Sequence, residues 1–242
     1  LIFALKCGPH SNHYHLDQGT FWLLYNGETL LSEAGYTNYY RNLYYHQYYI
    51  QPVAHNTLLL NRYTEPQRIA DLDDEVSARN EYPHILSCTT GPFVDETEGE
   101  MSCVYKGRLS RYTRSFVYMR PDYLVMCDDV TAHAPEEFTW VFHAEGKDSF
   151  KGDGPTVRIS RPKAELRIEV LAPSSVTRTI NRDPDRDGSF IYLTGPGKKG
   201  ASKFLSVLIP SCPDNASERD SWVTGLIDAD GWLGAKIGRK GE

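Results

Sequence analysis

Long apolar runs are missing from this sequence. No stretch approaches the roughly 18 residues that a membrane-spanning helix needs, and no signal peptide is visible. Paired cysteines are missing too. The five present (Cys7, Cys88, Cys103, Cys127, Cys212) are odd in number and form no CxxC, which argues against a disulfide framework and leaves room for one bridge at most. Lys and Arg total 26 against 32 Asp and Glu, a net charge of −6, with no long basic block. This argues against a nucleic-acid binder working by phosphate neutralisation, and the balance weighs against a very heavily sulfated ligand. The chain also lacks a starting Met. It opens on Leu1, directly into the strand-like "LIFALKCG", and reads as a fragment or a processed product.

Helical periodicity is almost absent, and what takes its place is the pattern of short strands. "TFWLLYNGETLLSEAGY" is two apolar runs joined at Asn26-Gly27, the strongest short hairpin signal. Further strands are expected at 55–61, 84–90, 102–107, 111–120, 123–130, 137–145, 156–161, 166–173, 189–195 and 204–210, separated by turn clusters such as "GDGP", "APSS" and "DPDRDGS". A short helix fits only near 43–49 or in the tail. This spacing predicts an all-β chain, an antiparallel β-sandwich over residues 1–242, with 216–242 as a terminal strand and loose tail. At 242 residues the chain can bury a core without disulfides or metals.

Tyrosine is abundant, with 16 residues, seven of them between Tyr36 and Tyr49. Such a cluster can stack on sugars, or it can simply pack its rings on a sheet. "HSNHYHLDQG" (10–19) holds three histidines and an aspartate. On an extended strand His13, His15 and Asp17 share a face, and an HxH presents two imidazoles to a metal, with Glu33 and His55 as the natural further ligands. The other reading is a solvated polar loop with unrelated histidines. "DPDRDG" (183–188) opens like a calcium loop, but Thr194 stands where the bidentate Glu belongs, so it reads as a surface turn. "GPGKKG" and "DLDDE" read as a turn and a solvated face.

Taken together, "NHYHLDQGTF", "LLYNGETLLSEAGY" and "AHNTLLLN", followed by "RSFVYMRPDYLVMCDDV", "FTWVFHAE" and "FLSVLIP", resemble the C-terminal β region of the heparinase II/III-like polysaccharide lyases, a family with relatives acting on alginate. The resemblance covers residues 1 to about 210. It implies an N-terminal (α/α) toroid elsewhere in the same protein, packed on a supersandwich-like β region, with the active cleft between the two. It also implies a zinc ion, structural in role, on His15, Glu33 and His55, although the family pattern carries Asp where this chain has Glu33. His13 would face the cleft as a catalytic residue, a placement that needs a bulge or turn between it and His15. Tyr44, Tyr45, Tyr48, Tyr49 and Arg41 would contact substrate.

The reaction so implied is β-elimination on a uronic acid within an acidic polysaccharide. The proton removed lies α to a carboxylate, so the enzyme needs relief of that charge, a base for the proton and an acid for the leaving oxygen. Much of that set would sit on the toroid, leaving this fragment weakly active or inactive by itself. A periplasmic or secreted location is expected. Two rivals stand beside this reading. One is a non-catalytic carbohydrate-binding sandwich. The other is a cupin-like metal enzyme, whose Glu normally follows HxH closely, whereas Glu33 follows His15 by 18 positions.

Overall fold

The computed structural model describes residues 1–9, 14–37, 41–61, 67, 82–105, 107–146, 149–152, 154, 156–229 and 232–239. The hairpin read from sequence is present. Strands β2 (Phe21–Tyr25) and β3 (Glu28–Leu31) join across Asn26 (φ 49°) and Gly27 (φ 75°), the two left-handed residues that a twist-matched two-residue turn requires. Strand β1 (Ile2–Leu5) pairs antiparallel with β2 and completes a three-stranded sheet.

An eight-stranded antiparallel sheet forms the opposite layer. Its order is β10 (Phe150–Lys151), β11 (Thr156–Ser160), β12 (Glu165–Ala172), β15 (Lys198–Ser211), β8 (Tyr123–Glu136), β7 (Leu109–Met119), β6 (Val94–Glu100) and β5 (His84–Thr90). In β8, Leu124, Met126, Asp128, Val130 and Ala132 are buried and alternate with half-exposed neighbours, as expected for a strand with one covered face. A four-stranded sheet, β13 (Thr177–Arg182), β14 (Gly188–Thr194), β9 (Phe138–Glu145) and β4 (Leu58–Leu60), lies beside the three-stranded one and is joined to it by a bridge between Ser32 and His143. The core sits between the layers, where Phe21, Leu23, Leu58, Phe138, Trp140 and Phe142 meet Phe116, Leu124, Met126, Ile168 and Phe204.

Strand β9 is buried on both faces because a second cluster covers its outer side. Val141, Phe190 and Tyr192 pack there against Tyr48, Tyr49, Ala54 and Leu59. Tyr48 and Tyr49 belong to a π-helical turn, Tyr45–Tyr49, inside the span where a short helix was expected. The tail forms helix α1 (Ala216–Asp220) and a hairpin, β16 (Trp222–Ala229) and β17 (Trp232–Arg239), with Trp222 against Val207 and Ile209.

Two expectations are corrected, and one strand was not foreseen. "SCVYKG" is no strand: Ser102–Tyr105 form a short helical turn, and the Ser102 hydroxyl accepts from the Tyr112 backbone N–H at 2.7 Å. In "HNTLLLN" only Leu58–Leu60 are strand. Asn56 leaves the ladder because its side chain replaces it, donating to Phe21 O (2.7 Å) and Ser32 O (2.6 Å) and accepting from His143 N (2.7 Å). The "VDETEGE" of β6 is a strand that its acidic composition hides. No sheet closes into a barrel among the described residues, so the cupin-like reading lacks its fold.

Candidate functional site

His15 does not lie on a strand. Residues 14–20 form a loop pinned by Leu16 N to Ile50 O (2.9 Å), Thr20 N to Asp17 O (3.0 Å) and Gly19 N to Lys6 O (2.9 Å). Gly19 has φ +85°, and a Cβ there would meet Met101 Sδ at 2.8 Å, so the loop needs glycine at this point. The same-face argument for His13 and His15 therefore does not apply. His10 and His13 lie outside the described residues.

The loop brings His15 to His55, with ring centroids 5.1 Å apart. His15, Asp17 and His55 each offer one ligand atom, and these atoms lie within 4.8 Å of one another. Glu33 joins through His55, whose Nδ1 is 2.7 Å from Glu33 Oε1. His55 Nε2 lies 3.0 Å from the carbonyl oxygen of Tyr49, which can only accept, so the Nε2 proton is fixed there. The lone-pair side of the ring then faces a carboxylate, an arrangement that needs a positive charge between the two, either a proton or a metal ion. A carbonyl on the far nitrogen is also the usual outer partner of a metal-bound histidine. Thr20 Oγ1 donates to Glu33 Oε1 at 2.8 Å and accepts from Asn56 N at 3.1 Å, which aims the carboxylate.

Electrostatics prepare these groups for ligation. Burial, and then the neighbouring His55, lower the pKa of His15 and favour its neutral imidazole. Burial raises the pKa of Glu33, but hydrogen bonds and charge from His55 and the Thr20 hydroxyl outweigh it and keep the carboxyl ionised. Asp17 is held at Oδ2 by Lys6 Nζ (2.6 Å), while its buried Oδ1 has no partner among the described residues. Two imidazoles and two carboxylates, one of them carrying the orphaned oxygen, are a donor set that fits a zinc ion. The cluster thus joins His15 and His55 with Asp17, and Glu33 touches it through His55. The backbone carbonyl of Asp17 also braces the loop, accepting from Thr20 N at 3.0 Å.

The tyrosine segment divides in two. Tyr44 and Tyr45 are half-buried and Arg41 is exposed. Tyr48 and Tyr49, expected to contact substrate, are 6% and 0% exposed. Their phenols instead donate to Asp183 Oδ1 and to Asp185 Oδ2 (3.0 Å). Burial, and the Asp183 charge after it, push the Tyr48 hydroxyl far above its ordinary pKa, so it stays protonated. Burial likewise raises the Asp183 carboxyl. Beneath them His143 is buried, donates from Nε2 to Val53 O (2.9 Å), and has its pKa pushed down to about 3 by burial. Asp183, Asp185 and Arg186 were missed because "DPDRDG" reads locally as a turn. It is one, between β13 and β14, but its side chains reach the tyrosines.

A profile of the heparinase II/III-like, C-terminal family matches residues 2–210. Among solved structures, the heparan sulfate lyase HepC from Pedobacter heparinus superposes with a TM-score of 0.78 at 17% identity, over 99% of this chain and 38% of that one. A heparinase III gene product gives 0.74 at 13% identity, over 98% and 39%. A further heparinase III gives 0.70 at 17% identity, over 93% and 36%. These identities speak to the fold alone, and the chain spans less than two fifths of the length of each of these proteins. No curated protein matches by sequence.

Proposed function

The chain belongs to the heparinase II/III-like, C-terminal family, and from that premise we propose that it is the β-sandwich part of a lyase that cleaves a uronic-acid-containing glycosaminoglycan by β-elimination. The family match across residues 2–210 carries the reading, and the convergence of His15, Asp17, Glu33 and His55 supports it. An N-terminal toroid of the same protein completes the cleft, and the β-sandwich part alone is weakly active or inactive. A polymeric substrate suits a periplasmic or secreted location.

β-Elimination removes the proton α to the uronate carboxylate and expels the oxygen at C4, which calls for a base, an acid and relief of carboxylate charge. His13 is the acid–base group this chain contributes. It stands two residues before His15 in the sequence. Tyr44, Tyr45 and Arg41 contact the sugar from the segment that Tyr48 and Tyr49 seat. A zinc ion held by His15, Glu33 and His55, with Asp17 as a further oxygen donor, supplies fixed positive charge that ties the loop to the tyrosine turn. The bond from Leu16 N to Ile50 O makes the same connection through the backbone.

The test is the ultraviolet absorbance of unsaturated uronate when the full-length protein meets heparan sulfate, hyaluronan, chondroitin and alginate. Product from any of these supports the lyase, and His13→Ala should abolish it. Silence across the panel would sink the proposal, and glycan binding without product would favour the carbohydrate-binding sandwich.

A further inference from the structure

The turn "DPDRDG" has no place in the reaction described above, yet its Arg186 touches both the exit of β3 beyond Glu33 and the tyrosine turn whose Tyr49 carbonyl faces His55. We propose that Arg186 is a positioning residue for the metal centre, holding the segment that carries Glu33 in register with the tyrosine turn that restrains His55. The inference rests on the zinc reading of that site.

Two arms run from the Arg186 guanidinium. One reaches the exit of β3, where Nη2 donates to the carbonyl oxygen of Tyr36 and the guanidinium carbon stands 6.0 Å from the Tyr36 ring. Tyr36 follows Glu33 by three residues, and the linker between them has little freedom. Ala34 N is bonded to Ala54 O at 3.0 Å, and Gly35 sits at φ +98°. A Cβ on Gly35 would lie 2.6 Å from Arg186 Nη1, so glycine is what lets the guanidinium pass this close to the backbone. The second arm reaches the tyrosine turn. The guanidinium carbon lies 5.1 Å from the Tyr49 ring, and Asp185 in the same turn accepts from the Tyr49 hydroxyl at 3.0 Å. The Tyr49 carbonyl in turn holds His55 Nε2 at 3.0 Å. The arms meet again at the 2.7 Å contact between Glu33 and His55. Arg186 therefore closes a ring of contacts through both ligands.

Arginine suits this position because its planar fork stacks on one ring while donating sideways to a carbonyl, which an ammonium cannot do equally well. The acids flanking it (Asp185 and Asp187) disfavour an anionic ligand as its partner. Residues that orient metal ligands from outside typically account for about 10–100-fold in metal affinity.

The experiment compares wild type with Arg186→Ala, Arg186→Lys and Arg186→Gln in the full-length protein. It measures zinc affinity by competition with a chromophoric chelator, the visible spectrum of the Co2+-loaded form, and the thermal midpoint of the metal-free form. Arg186→Ala should weaken zinc binding about 10–100-fold and shift the Co2+ bands, with Lys restoring part of the affinity. A merely structural arginine would lower the midpoint and leave affinity and bands unchanged, and that result overturns the proposal. Should the Ala variant fail to fold, Arg186→Gln, which keeps an N–H for Tyr36, decides by the same affinity measurement. A wild-type protein that takes up no zinc would defeat the zinc reading itself, before any variant is compared.

Discussion

Arg114 and Asp128 are 1% and 0% exposed, and their ion pair joins the large sheet to both ligand-bearing loops. Arg114 grips Asp128 with Nε and Nη2, both at 2.8 Å, and gives Nη1 to the carbonyls of Gly19 (2.5 Å) and Asn56 (2.7 Å). Asp128 also accepts from Trp140 Nε1 at 2.8 Å. Burial opposes the charge on Arg114, but Asp128 outweighs it and holds the guanidinium protonated. Arg114→Met leaves Asp128 buried and unpaired, which costs about 3–5 kcal/mol. Two orphaned carbonyls add about 1 kcal/mol each. The sum, about 5 kcal/mol or more, approaches the whole stability of an ordinary domain, about 5–15 kcal/mol. Urea unfolding followed by tryptophan fluorescence should show it, together with a thermal midpoint lowered by roughly 10–20 °C. Adding Asp128→Asn removes the stranded charge and keeps an acceptor for Trp140, so the double variant should recover at least about 2 kcal/mol. The reasoning is refuted if Arg114→Met stays within about 1 kcal/mol of wild type, or if the double variant is less stable than the single.

His143 gives a pH signature. Its folded pKa of about 3 lies below the ordinary 6.5, so between those values the unfolded chain binds the extra proton, and stability falls as pH drops. From pH 7 to pH 5 wild type should lose about 2 kcal/mol more than His143→Gln, and equal losses in urea would refute this. Tyr48→Phe removes the donor to buried Asp183 and should cost about 1–3 kcal/mol in the same assay; a neutral change would show that the bond contributes nothing. Protein purified without added metal should carry near one zinc per chain by elemental analysis. His15→Ala and Glu33→Gln should lose it while His10→Ala keeps it, and a chelator should lower the thermal midpoint of wild type only. Equal zinc in all forms would refute the ligand assignment.

The parts of this protein that its sequence alone determined are those in which a residue's state depends on its near neighbours. Asn26-Gly27 makes its turn because those two residues tolerate the left-handed region. β8 and β12 alternate because one face of each is covered. The imidazoles of "HYH" and "HNT" and the acid of "LLSEAGY" stand out in the sequence as candidate ligands because so few side chains can hold a metal. The tertiary structure decided the rest. β6 is a strand because β5 and β7 supply its ladder on both sides, in spite of its acids. Asp17 turns toward His15 and His55 only when its loop closes. Tyr48 meets Asp183 across 135 positions, and Arg186 reaches Tyr36 across 150. No local rule encodes such pairs, since they exist only once the β13–β14 turn lies over the tyrosine segment, and the stacking of whole sheets sets that placement.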